Sequence, residues 1–193
     1  MTICFATQNR NKLQEVQAML PEYIQLVTPE DVGCKEELPE TQLTLEGNSM
    51  QKAEYLFNNY STDCFADDTG LEIQILNGEP GVFSARYAGP QKKAEDNMQL
   101  VLSKLKGKAN RKAQFRTVIT LIVAGEKHFF EGALTGEIIE NPIGTSGFGY
   151  DPIFKPDNEE RTLAQMSMEE KNKISHRAKA FQKLCNFLTQ NPR

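Results

Sequence analysis

A chain of 193 residues, 39% of them hydrophobic, can bury a sizeable core and suits one domain, possibly of two lobes, better than several. Its 22 Lys and Arg against 26 Asp and Glu leave a formal charge of −4, which excludes global attraction to nucleic acid or an anionic membrane, so any polyanion has to be met locally. Cys4, Cys34, Cys64 and Cys185 form no C-x-x-C pair, and there is neither a basic-then-apolar leader nor an apolar run of membrane-spanning length. The expectation is a soluble, cytoplasmic chain with buried reduced thiols and no export signal.

"TICFAT" reads as a short buried strand, and "NKLQEVQAML" places Leu13, Val16, Met19 and Leu20 at helical spacing before Pro21. A second helix is expected across "GNSMQKAEYLFNNY", with Met50, Ala53, Tyr55, Leu56 and Phe57 as its apolar face. "DCFADD" and "LEIQIL" read as two strands around an acidic turn. The turn-rich "NGEPGVFSARYAGP" precedes a helix over "KKAEDNMQLVLSKL", with Met98, Val101, Leu102 and Leu105 inward. "AQFRTVITLIVAGEKHFFEGALTGEII" holds β-rich runs, with "AGEK" as a hairpin turn. Then come the loop "ENPIGTSGFGYDPIF", a polar stretch, and the helix "SHRAKAFQKLCNFLT", with Ser175 as N-cap and Ala178, Phe181, Leu184 and Leu188 on one face. Early alternation of strand and helix followed by a late meander predicts an α/β domain with a mixed sheet.

Four stretches could carry chemistry. "TQNRNK", Thr7 to Lys12, lies where a strand passes into a helix, where free backbone N–H groups and the helix dipole favour a phosphate; it lacks the glycines of a Walker A loop, and a plain helix cap with a solvated lysine is the alternative. Asp67 and Asp68, with Glu40 and Glu46 as further candidates, supply oxygen donors only, which suits Mg²⁺ or Mn²⁺; the alternative is a turn with two solvated acids. In "GFGYDPIF" the glycines let backbone approach a flat ligand, Phe148 or Tyr150 can stack on a base and Asp151 can bind its edge, unless the aromatics are core anchors. "KNKISHRAK" crowds Lys171, Lys173, His176, Arg177 and Lys179 at a helix start, which opposes the dipole unless an anion or carbonyl-rich ligand sits there; a solvated helix face is the bland reading. His128 reads as structural, and the lysine-rich run at 104–112 lacks the interleaved aromatics of a nucleic-acid site.

Taken in order, these blocks make the chain resemble the inosine triphosphate pyrophosphatase family: Thr7-x-Asn9-x-x-Lys12, Glu46-x-Asn48-x-x-x-Lys52-Ala53, Ala66-Asp67-Asp68-Thr69-Gly70-Leu71, Pro80-Gly81 with Ser84-Ala85-Arg86-Tyr87, Phe148-Gly149-Tyr150-Asp151-Pro152, and Lys171-Asn172 with Ser175-His176-Arg177. The resemblance runs from residue 3 to about 181 and implies an elongated mixed β-sheet flanked by helices, a single bilobal domain over 1–193 with the active-site cleft between its lobes, and a homodimer. It implies Mg²⁺-dependent cleavage of ITP, dITP or XTP to monophosphate and pyrophosphate, with no nucleic-acid or membrane partner. It implies that Thr7, Asn9, Lys12, Lys52 and Lys171 hold the triphosphate, with Gln8, Arg10 and Asn11 also binding the substrate. Glu40 and Asp68, joined by Asp67, would hold the metal, and Asp68 would accept the proton. Thr69 would lie against the substrate, and Phe148, Gly149, Tyr150, Asp151, His176 and Arg177 would enclose the base. A cationic Arg177 and a donating His176 favour a 6-oxo over a 6-amino purine, and the exclusion of guanine then falls to the pocket around the 2-position. Gln165 stands where the family commonly has Glu.

Overall fold

Near-continuous burial through "CFADDTGLEI" joins the two expected strands into one, β3 (Cys64–Ile73), so there is no acidic turn. The computed structural model describes residues 1–7, 10–17, 20 and 22–191, leaving aside the side chains of 10, 11, 14 and 15. A run buried on both faces is what a central strand with a parallel neighbour requires. β1 (Thr2–Phe5) is that neighbour, with Cys4 opposite Cys64, and β2 (Gln25–Val27) pairs parallel to β1 on its other side. β4 (Pro80–Gly81) runs antiparallel to β3, and β7 (Phe154–Pro156) antiparallel to β6 (Glu126–Ile138). With β5 (Lys112–Val123) the sheet has the order β2-β1-β3-β5-β6-β7, and β4 lies on β3. The mixed α/β expectation holds. At the "AGEK" turn, Ala124 and Gly125 both take positive φ, 48° and 81°, the geometry that matches strand twist in a two-residue hairpin.

The chain forms two compact units: Met1–Asp68, Thr117–Gly132 and Arg177–Arg193 make the first, and Thr69–Arg116 with Ala133–His176 make the second. β3, β5 and β6 each contribute residues to both. In the first, Phe5 stacks on Phe65 at 4.6 Å and Phe181 meets both rings edge-on at 5.9 and 5.7 Å. Such pairs add about 0.5–1.5 kcal/mol each to the burial itself. α1 (Arg10–Gln17) delivers Val16 to this core, and α5 (His176–Gln190) delivers Phe181, Leu184 and Leu188. Ala53 and Leu56 of α2 (Leu45–Tyr60) pack with Cys4, Cys34 and Cys64 in a neighbouring cluster. The thiols are free and buried, as expected, and burial pushes those of Cys4 and Cys64 up to about 12, which keeps them protonated and inert.

The second unit packs Val101 and Leu105 from the region of α3 (Ala94–Lys104) against Leu71, Phe115, Ile138, Tyr150 and Phe154. The expected polar stretch contains a helix instead, α4 (Met168–Ile174), started by a reciprocal capping box between Ser167 and Glu170. Ser175 closes α4, its N–H donating to the Lys171 carbonyl, and directly precedes α5. Met50, Tyr55 and Phe57 are only partly buried, because α2 turns Asn48, Ser49 and Lys52 inward along with Ala53 and Leu56. No helix of the described residues is long and apolar enough to cross a membrane.

Candidate active site

Adjacent carboxylates tolerate each other on a strand because successive side chains point to opposite faces. Asp67, fully buried, meets the Lys12 ammonium at 2.9 Å and lies 3.8 Å from Arg177 Nε. Asp68 accepts from Asn48 Nδ2 at 3.2 Å through Oδ2 and lies 3.8 Å from Lys52 Nζ through Oδ1. Lys52 also donates to Glu40 Oε1 at 2.6 Å and to the Asp67 carbonyl at 2.7 Å. Four elements and the segment before α2 thus bring in the charges of this cluster: β3, α2, the first turns of α1 and α5, and Glu40 ahead of α2. All of it lies in the first unit.

The two carboxyls titrate in opposite directions. Burial works to raise Asp67, but Lys12, Arg177 and Lys52 outweigh it and hold the group below the ordinary carboxylate value. At Asp68 burial wins, with the Glu40 charge adding to it, so this carboxyl is raised despite Lys52, Lys12 and the Asn48 amide. The lysines divide similarly: burial pushes Lys12 down, whereas at Lys52 the carboxylates overcome burial and raise the group. Asp67 is therefore held ionised as a counter-ion, whereas Asp68 is the more basic of the two carboxyls.

Glu40 Oε1 and Asp68 Oδ1 converge on the Lys52 ammonium, at 2.6 and 3.8 Å, so the acidic groups there offer oxygen donors only. Among the described residues no group of three or more His, Cys, Asp or Glu side chains has the geometry to hold a metal. Two carboxylates do fit a hard divalent cation that completes its shell with phosphate oxygens and water.

In the second unit, Asp151 Oδ2 accepts from the Phe148 N–H at 2.9 Å and from Lys171 Nζ at 2.7 Å. The Lys171 ammonium is also 4.6 Å from the centroid of the Phe148 ring, a cation–π contact. Tyr150 is buried and donates through its hydroxyl to the Ser84 carbonyl at 2.8 Å. The turn needs glycine at 147: φ is +79°, and a Cβ there would run into the Asp151 carboxylate. His176, buried, stacks on Phe115 at 4.9 Å with 15° between the planes.

The Ham1 family model matches residues 3–187. The chain belongs to the Ham1 family. A dITP/XTP pyrophosphatase of Flavobacterium johnsoniae is 54% identical over 189 residues, covering 98% of each chain. The solved Ham1 protein of Staphylococcus aureus is 37% identical with a TM-score of 0.92, covering 99% of this chain and 100% of its own. That of Coxiella burnetii is 36% identical with a TM-score of 0.93, covering 98% and 99%.

In this Ham1 chain Lys12, Lys52, Glu40, Asp67, Asp68 and Arg177 come together in one cluster, and Thr7 is buried at the end of β1 in the same unit. Phe148, Gly149, Tyr150, Asp151, Lys171 and His176 belong to the other unit, as does half-buried Thr69. Lys171, expected on the triphosphate, is therefore bound to the Phe148–Asp151 turn. Gln8 and Asn9, and the side chains of Arg10 and Asn11, lie outside the described residues. Glu46 is half-buried in the first turn of α2. Of the basic run, Arg111 donates to the carbonyls of Leu105, Ile138 and Ile139 and Lys104 pairs with Glu79, whereas Lys106, Lys108 and Lys112 are exposed. Gln165 acts through its amide oxygen, which accepts from the Thr162 N–H at 2.9 Å. Asn48 was legible in the sequence only as a motif letter; its burial and its bond to Asp68 are the missed functional feature.

Proposed function

We propose that this chain hydrolyses deaminated purine nucleoside triphosphates, ITP, dITP and XTP, between the α and β phosphates, releasing monophosphate and pyrophosphate and so clearing these nucleotides from the pool. The observation that carries the proposal is the convergence of buried Asp68 and Glu40 on Lys52, beside the Lys12–Asp67 ion pair. The name dITP/XTP pyrophosphatase, given to relatives as close as 54% identity, supports the substrate class. Mg²⁺, with Mn²⁺ able to replace it, is the proposed cofactor, held by Glu40 and Asp68, with Asp67 kept as counter-ion to Lys12. Bound there, such an ion supplies Lewis-acid polarisation of the phosphoryl group and a lowered pKa for nearby water.

The Asp68 carboxylate takes the proton of the attacking water while the water oxygen bonds to the α phosphorus. The bridging P–O bond breaks, and the electron pair leaves with pyrophosphate. Lys12 and Lys52 neutralise the charge that grows on that leaving group, with Thr7 and the residues up to Asn11 as further phosphate contacts. On the base side we assign Phe148 to stacking, with Thr69, Gly149, Tyr150 and Asp151 around it. Lys171 holds that turn in place. His176 and Arg177 donate to the 6-oxo group, a type of readout that can discriminate by roughly 10⁴ to 10⁵ against a 6-amino purine. The enzyme would act as a homodimer in the cytoplasm, a single domain whose lobes are the two units, without nucleic acid or membrane.

The test is pyrophosphate release from ITP, dITP, XTP, ATP and GTP with and without Mg²⁺. Fast release from the first three, lost without metal, is expected. Equal rates on all five would overturn the assignment of His176 and Arg177 to base selection, and no release would overturn the enzyme reading.

A further inference from the structure

One face of α2 reads three successive residues of the segment before it. Lys52 takes the Glu40 carboxylate. Gln51 makes a reciprocal pair with Thr41: its Oε1 accepts from the Thr41 N–H at 2.9 Å and its Nε2 donates to the Thr41 hydroxyl at 2.8 Å. Asn48 Oδ1 accepts from the Gln42 N–H at 2.9 Å. Positions 48, 51 and 52 share a helix face by their i, i+3, i+4 spacing, so a rigid ruler fixes residues 42, 41 and 40 in turn. The helix also approaches too closely for a side chain at Gly47, where a Cβ would lie 2.7 Å from Gln42 Cβ.

Asn48 does a second thing. A backbone N–H can only donate, so the amide oxygen must face Gln42 and the NH₂ group must face Asp68 Oδ2, 3.2 Å away. The side chain is 1% exposed, so neither bond is readily exchanged for water. A single amide therefore ties the Glu40 segment to the Asp68 carboxylate.

We infer that Asn48 and Gln51 are positioning residues that set the Glu40 carboxylate against Asp68 for divalent-cation binding, without touching substrate themselves. Lys52 is the element they aim at: its ammonium marks where Glu40 Oε1 and Asp68 Oδ1 converge. The inference rests on the proposed metal-dependent function.

The test is Mn²⁺ titration followed by electron paramagnetic resonance. Wild type, Asn48→Ala and Gln51→Ala are each measured with and without a non-cleavable α,β-methylene analogue of ITP. Supporting partners of this kind are worth about 10- to 100-fold in metal affinity. Asn48→Ala is expected to weaken Mn²⁺ binding by about 10-fold or more, and Gln51→Ala by several-fold, while metal-free affinity for the analogue stays at the wild-type value. Gln51 is only half-buried, so this variant decides if Asn48→Ala does not fold. Unchanged Mn²⁺ affinity in the folded variants, or equal losses of metal and metal-free nucleotide affinity, would overturn the positioning role alone. A wild type that neither binds Mn²⁺ nor needs a divalent ion for turnover would overturn the parent reading, and this inference with it.

Discussion

In the first unit six charges arrive on β3, α2, α1, α5 and the segment that carries Glu40, and are set against one another, whereas in the second a single ion pair, Asp151–Lys171, holds one glycine turn to one short helix beside an aromatic ring. The difference separates two kinds of dependence. Buried charges are tolerable only as a matched set, so loss of one member leaves the others stranded in a medium that penalises them. The turn of the second unit hangs instead on a single such pair and on the glycine beside it. Under the proposed function the chemistry falls to the first arrangement, where fields are strong and fixed, and stacking on the base to the second.

The sharpest way to break this comparison is Asp68→Asn. It keeps the shape and an acceptor for Asn48 but removes the base, so turnover of ITP should fall about 10²- to 10⁴-fold while nucleotide binding, measured by calorimetry, persists. Next is Asp67→Asn. It strands Lys12, and urea unfolding should report a loss of about 3–5 kcal/mol, as for other broken buried pairs, with part recovered in Asp67→Asn/Lys12→Met. A smaller effect is expected in the second unit. Gly147→Ala should displace Asp151 and its grip on Phe148 and Lys171, raising the half-saturating ITP concentration about tenfold, equivalent to 1.4 kcal/mol, and lowering the melting temperature, because the buried Asp151–Lys171 pair is broken.

The smallest effect sharpens the contrast within the first unit itself. Glu36 accepts from the hydroxyls of Tyr60 at 2.5 Å and Tyr55 at 2.8 Å, and these bonds, Tyr60's foremost, hold its carboxyl down to about 2. A depressed folded-state pKa stabilises above the unfolded value and loses that contribution as pH falls through the folded one. Wild type should therefore lose melting temperature relative to Glu36→Gln between the ordinary glutamate range and pH of about 2, and match its neutral offset above that range.

Much of this fold is legible in the sequence because its signals are local. The apolar spacing of Val16, of Val101 and Leu105, and of Phe181, Leu184 and Leu188 each marks a helix face that is buried. "AGEK" marks its hairpin by the residues that accept positive φ. The acidic turn was expected because Asp67 and Asp68 adjoin in sequence, where repulsion argues for solvent. In a strand the same two side chains part to opposite faces, and partners far along the chain, Lys12, Arg177, Asn48 and Lys52, make their burial possible. α4 carried a local signal in Ser167 and Glu170, masked by the charge of its sequence. The Asp151–Lys171 pair and the Asn48 bridge are different in kind. Nothing near either residue in sequence says that it is buried, and only the assembled unit shows it.

The most direct test of α,β cleavage at Asp68 is ITP turnover in ¹⁸O-labelled water, with both products read by mass spectrometry. Inosine monophosphate should carry the label and pyrophosphate should not, in equal amounts, because the water bonds to the α phosphorus. Label in pyrophosphate, or release of orthophosphate and inosine diphosphate, would contradict it.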